Sequence, residues 1–170
     1  MKINLNEIYA KLDEWLAERK ITAESQKDGY LVNVMEKFGE LSQALRGLEF
    51  ENTRKTAEHE IIDALCDIAV FTINAGVDIP CEFKRTEIEL KEFRLGADYI
   101  LKQIVEKCAG FSFFDSWDDE KYFNIILINC AYLCEHYGFN FEIAMLETIK
   151  EISSRTGWYS ANYELARIKQ

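Results

Sequence analysis

Apolar residues recur every three or four positions along most of this chain, and those intervals predict a succession of helices. Over residues 4–20, Leu5, Ile8, Leu12, Trp15 and Leu16 form one amphipathic stripe. The polar run TAESQKDG then interrupts it, and a second helical pattern covers about residues 30–48, with Leu31, Val34, Phe38, Leu41, Leu45 and Leu48 in line. Residues 49–56 (EFENTRKT) form a charged turn, with Thr56 as a candidate cap for the next helix.

That third helix, about residues 57–75, is different. Ile61, Ile62, Leu65, Ile68, Ala69, Val70, Phe71 and Ile73 point in almost every direction around it, as in a helix buried on most sides. Gly76 ends it and Pro80 blocks continuation. A fourth helical region is expected over about 82–108, broken near Gly96, followed by an aromatic loop, GFSFFDSWDD, in which Asp118 or Asp119 can cap the fifth helix. Two more helices, 120–137 and 141–155, flank the turn Tyr137-Gly138-Phe139-Asn140. The segments IIDALCDIAVFTINAGVDI and NIILINCAYLCEHYGFNFE echo each other loosely, which places both helices in the same bundle. The expected architecture is an all-α multi-helix bundle in one domain, 1–170, with 156–170 as an unassigned tail.

Composition narrows the function classes. One proline and eight glycines among 170 residues leave few breaks, and 48% hydrophobic residues suffice for a real core. The N-terminus alternates polar and apolar residues without the continuous apolar core of a signal peptide, and no run suffices to cross a bilayer. No membrane partner is therefore expected. The formal charge of −10, with no Lys/Arg cluster, argues against nucleic acid. A small anionic substrate would need a divalent cation to bridge it to the protein. Cys66, Cys81, Cys108, Cys130 and Cys134 are odd in number and lack CxxC spacing, so they read as reduced, buried thiols of a cytoplasmic protein. Cys130, Cys134 and His136 do not make a zinc site, because His136 faces elsewhere. The aromatic run Phe111, Phe113, Phe114 and Trp117 reads as a subunit contact, a lid or a plug at one end of the bundle.

The acids carry the chemistry. Glu60, Asp63 and Asp67 share one helical face, with Asn74 on the same stripe. On so apolar a helix, carboxylates this close repel each other and lose hydration unless a cation compensates, and hard cations such as Mg²⁺ take oxygen ligands. The alternative is that Asp63 and Asp67 face solvent through a gap in the bundle. On the second helix, Asn33, Glu36, Glu40 and Gln43 share the face opposite the leucines, which alone is ordinary surface polarity. Two antiparallel helices joined by a short loop can nevertheless bring both acidic pairs around one metal cluster.

The strings MEKFGELSQAL and HEIIDALCDIAVFTINAG resemble the MazG-like all-α nucleoside triphosphate pyrophosphohydrolases, whose signature is two glutamates on one helix and Glu-x-x-Asp on the next. Glu40 matches the last glutamate of the first pair, and Glu60 with Asp63 matches the Glu-x-x-Asp. The segment ETIKEISSRTG (147–157) resembles the C-terminal helix of phage-type members. The likeness covers about residues 25–76 and, more weakly, 139–157, and leaves 82–118 as an insertion.

The resemblance implies Mg²⁺-dependent hydrolysis of (d)NTPs to (d)NMP and pyrophosphate, with Mn²⁺ able to substitute. It implies Glu36, Glu40, Glu60, Asp63 and Asp67 as ligands, and Glu36 or Glu40 as the group that takes the proton from the attacking water. Lys150 and Arg155 are candidates for phosphate contacts, and Gln26, Tyr30, Asn33, Asn74 and Trp15 for a base or sugar pocket; surface charge and packing are their plain alternatives. A bundle with this many apolar faces suggests a homodimer or homotetramer. One position departs from the pattern, since Lys37 stands where the family has the second of two adjacent glutamates. Either Glu36, one turn before Glu40, takes over as ligand, or Lys37 fills a metal position with its own charge. In the second case the chain is a catalytically silent helical nucleotide-binding or oligomerisation protein. A ferritin-like di-metal site ranks below both, because neither His59 nor His136 follows a glutamate by three.

Overall fold

In the computed structural model, which describes residues 2–46, 57–76, 87–89, 96–113 and 120–154, six helices form the bundle and a short two-stranded ribbon joins two of its segments. Strand β1 (Lys2–Asn4) leads into α1 (Asn6–Arg19). Asn4 Oδ1 accepts from Asn6 N at 2.9 Å, satisfying one of the donors left open at the start of a helix. Lys20 closes α1 with φ 54°, and Ile21 N then donates to Leu16 O at 3.0 Å, the bond that ends a helix through a left-handed residue.

Helix α2 (Ala23–Leu45) begins seven residues before the leucine pattern predicts. The polar run read as a connection is its first turns. Thr22 Oγ1 accepts from Ser25 N at 3.2 Å, and Ser25 Oγ returns a bond to Thr22 O at 2.8 Å, so the cap starts the helix without apolar residues. The buried stripe of α2 is Tyr30, Val34, Leu41 and Ala44, with Leu45 exposed and Phe38 only partly covered. At 100° per residue this face is rotated by about 45° from the predicted leucine stripe. The rotation turns Lys37 and Glu40 toward the bundle and leaves Glu36 in solvent.

Helix α3 (Ala57–Ala75) is the central element, buried along nearly its whole length and packed against α1, α2, α5 (Glu120–His136) and α6 (Phe141–Ser154). Its apolar residues on all sides are what that position requires. Thr72 Oγ1 donates to Ile68 O at 2.8 Å and, having one proton, accepts from Tyr30 OH at 3.0 Å, which locks α2 to α3 inside the core. The two echoing helices, α3 and α5, do pack together.

The region read as helical over 82–108 is divided. Glu87–Glu89 is strand β2, paired antiparallel with β1 in the register Lys2↔Glu89, Ile3↔Ile88, Asn4↔Glu87. Charged and apolar residues alternate there with a period of two, and the helix, α4 (Ala97–Phe113), starts only after Gly96. Helix α4 runs into the predicted aromatic loop as far as Phe113. Phe111 fills the core edge-on against Tyr30, with ring centroids 5.4 Å apart, and is tilted against Phe123 at 6.5 Å. Of the other predicted loop features, Phe114, Trp117, Asp118 and Asp119 lie outside the described residues, as do residue 155, the tail 156–170 and Cys81. Between α5 and α6, Gly138 takes φ +82° and Asn140 Oδ1 caps α6 by accepting from Ile143 N at 2.9 Å. No described helix is long and apolar enough to cross a membrane.

Two glycines give a paired test of this packing. A Cβ on Gly110 would stand 2.6 Å from a ring carbon of Tyr122, where α4 and α5 approach closely, whereas one on Gly39 meets nothing within 4 Å. Gly39→Ala is expected to stabilise by about 0.5–1 kcal/mol, from reduced chain entropy. Gly110→Ala is expected to destabilise by about 1–3 kcal/mol through overpacking. Urea midpoints measure both, and a Gly110→Ala protein as stable as wild type would contradict the α4–α5 contact.

Candidate functional site

Helices α2, α3 and α6 converge on a polar pocket of about 170 Å³ lined by Lys37, Glu40, Glu60, Asp63, Asp67, Thr148, Glu151 and Ile152. Each wall follows from helical spacing. Lys37 and Glu40 are three apart on α2, Glu60, Asp63 and Asp67 lie at intervals of three and four on α3, and Thr148, Glu151 and Ile152 do the same on α6. The buried side of α6 (Phe141, Met145, Ile149) seats it against the bundle, so its flanking residues meet the acids. The far end of α6 is tied down from α1: Arg19 Nη2 donates to Ser153 O at 3.0 Å and to Ile152 O at 3.4 Å, placing a cation at the negative end of the helix.

Lys37 dominates the electrostatics. Its Nζ lies 3.0 Å from Glu40 Oε2 and 3.2 Å from Asp67 Oδ2, with side-chain exposures of 19% for Lys37, 35% for Glu40 and 24% for Asp67. Burial alone would lower the Lys37 pKa, but the charge of Asp67 and the bond to Glu40 outweigh it and hold the ammonium above its ordinary value. Burial pushes the Asp67 carboxyl up, Lys37 pulls it back, and Asp63 and Glu40 push it up further. Five carboxylates thus share a lining with one ammonium. Glu60 Oε1 is buried and has no hydrogen-bond partner.

An all-oxygen donor set suits Mg²⁺ or Mn²⁺, and the unpartnered Glu60 oxygen is the kind of group a hard cation satisfies. Among the described residues, no three His, Cys, Asp or Glu side chains converge as a metal's ligands do. At the α2–α3 seam it is Lys37 that stands between the acids.

The sequence-predicted residues divide accordingly. Glu40, Glu60, Asp63 and Asp67 are brought together, while Glu36 is exposed and does not line the pocket. Gln26 and Asn33 are half-buried on α2, away from the lining. Asn74 is 1% exposed, with neither amide atom hydrogen-bonded, two turns past Asp67. Lys150 is exposed on α6 and does not line the pocket, and Arg155 lies outside the described residues. Tyr30 and Trp15 are buried in the packing, Trp15 under the Arg19 guanidinium at 5.3 Å. The α6 wall was missed in the sequence. Its signal was Thr148-x-x-Glu151 beside the apolar stripe, overlooked in favour of that helix's basic residues.

No family model, curated protein or solved structure matches the chain. The resemblance to the MazG-like enzymes rests on sequence motifs alone, over about residues 25–76 and, more weakly, 139–157.

Proposed function

We propose that this pocket hydrolyses nucleoside triphosphates, ribo- or deoxyribo-, to the monophosphate and pyrophosphate with Mg²⁺, Mn²⁺ being able to substitute. The observation that carries the reading is that Glu40, Glu60, Asp63, Asp67 and Glu151 line one pocket in which a buried Glu60 oxygen lacks a partner. Glu60 and Asp63 would hold the cation, with Glu151 of α6 lining the same pocket. Once bound, the ion neutralises triphosphate charge and lowers the pKa of a coordinated water. Water attacks the α-phosphorus, the bond to the β-phosphate oxygen breaks, and Glu40 takes the proton. The reading extends to nucleotide-pool control in the cytoplasm, supported by the free, buried thiols Cys66, Cys108, Cys130 and Cys134. It extends also to a homodimer or homotetramer, supported by Val32 and Met35 exposed on α2.

A second reading has its own observation. The two ion pairs of Lys37 engage Glu40 and Asp67, as a catalytically silent nucleotide-binding or oligomerisation protein would. One assay separates the two readings: monophosphate and pyrophosphate release from a panel of NTPs and dNTPs with Mg²⁺ or Mn²⁺. Metal-dependent release, lowered about 10²–10³-fold in Asp63→Ala, is expected of the enzyme. Absence of turnover from folded protein would leave the silent reading.

A further inference from the structure

We infer that the Lys37 ammonium is the resident cation of this pocket and competes with a divalent ion for Glu40 and Asp67. The inference rests on the metal reading above and concerns how that site is regulated. Lys37 occupies the buried seam of α2, between Val34 and Leu41 at three- and four-residue spacing, so its alkyl stem lies along the α2–α3 contact and its Nζ is delivered among the acids. Both Glu40 oxygens lie within reach, at 3.0 and 3.2 Å, and Asp67 Oδ2 at 3.2 Å. An ion that uses those oxygens must displace the ammonium or sit beside a like charge. The cation demand of the pocket is not exhausted by Lys37, because Glu60 Oε1 is buried and unpartnered at the other end of the lining. The native chain therefore takes a divalent ion weakly, from the Glu60 side, and the same scaffold without the lysine takes it tightly.

The test is a Mn²⁺ titration of the full chain, following the loss of the free-ion signal by electron paramagnetic resonance. Lys37→Met is expected to bind at least about tenfold more tightly than wild type, a change on the scale of altering groups around a metal's ligands. Lys37→Arg, which keeps the charge, is expected to match wild type. Adding Glu60→Gln to Lys37→Met is expected to weaken binding again. A melting curve with and without Mn²⁺ gives a second readout, since an ion that binds only the folded state raises its stability. Lys37→Met is expected to melt lower than wild type without the ion and to gain more from it, and Lys37→Gln repeats the measurement if the methionine variant does not fold. Equal Mn²⁺ affinity in wild type and Lys37→Met would overturn the competition while leaving a metal site. No binding by either would overturn the metal reading and this inference with it.

Discussion

Replacing Leu65 with Ala is expected to lower the unfolding free energy by about 3–5 kcal/mol, the upper range for a leucine truncated where the surroundings cannot collapse. Leu65 is fully buried in α3, and α3 is enclosed by α1, α2, α5 and α6. A surface helix can tilt into a void by giving up contacts on one side only. A helix held on several sides would have to break one packing to close another, so most of the cavity persists. Part of the loss is the transfer term for the deleted methyl and methylene groups, and the rest is the cavity itself. Val105→Ala, on the exposed face of α4, is the control and should stay within about 0.5 kcal/mol of wild type. Urea denaturation measures both. A Leu65→Ala protein no less stable than the Val105→Ala control would mean that α3 is not the centre of the bundle.

The centrality of α3 was legible in the sequence because burial on many sides leaves apolar residues at every angle, a local signal. The acids on α3 were legible for the same reason, since Glu60, Asp63 and Asp67 are placed relative to one another by helical geometry alone. What was lost depends on partners distant in the chain. The start of α2 was hidden because Thr22 and Ser25 cap it with polar groups, and apolar periodicity is blind to caps. Strand β2 has only three residues, and its conformation is set by pairing with Lys2–Asn4 at the other end of the sequence. The buried face of α2 was misplaced because leucine content pointed to Leu31 and Leu45, whereas the core took Tyr30 and Ala44. That rotation decides the site. It takes Glu36 out of the pocket, brings Lys37 in, and could not be read without knowing what α2 packs against. The contribution of α6 is hidden likewise, because no spacing rule links Glu151 to Asp63.

Without divalent ions, Lys37→Met is expected to cost about 2 kcal/mol of stability, the scale of a hydrogen bond to a charged group that leaves its partner uncompensated. A fully buried pair broken on one side would cost more, but Lys37 and Asp67 retain 19% and 24% of their side-chain exposure, and water recovers part of the loss. The carboxylates make the prediction specific. Asp67 is disfavoured by burial and by its neighbours Asp63 and Glu40, and Lys37 is the group that opposes this. Removing the ammonium should therefore hurt less once Asp67 has lost its charge. In the Asp67→Asn background, Lys37→Met is expected to cost about 1 kcal/mol less than in wild type, a coupling typical of residues in contact. Urea titrations of the four proteins in chelator give the cycle. Strictly additive losses would show that the ammonium and Asp67 are indifferent to each other and that the pocket is not organised around Lys37. The size of the coupling also bears on function, because it measures how firmly the lysine holds its acids. A weakly held lysine yields Glu40 and Asp67 to an incoming ion, and the pocket can work as a metal site. A firmly held one keeps them, and the Lys37–Asp67 pair then serves mainly to hold α2 against α3.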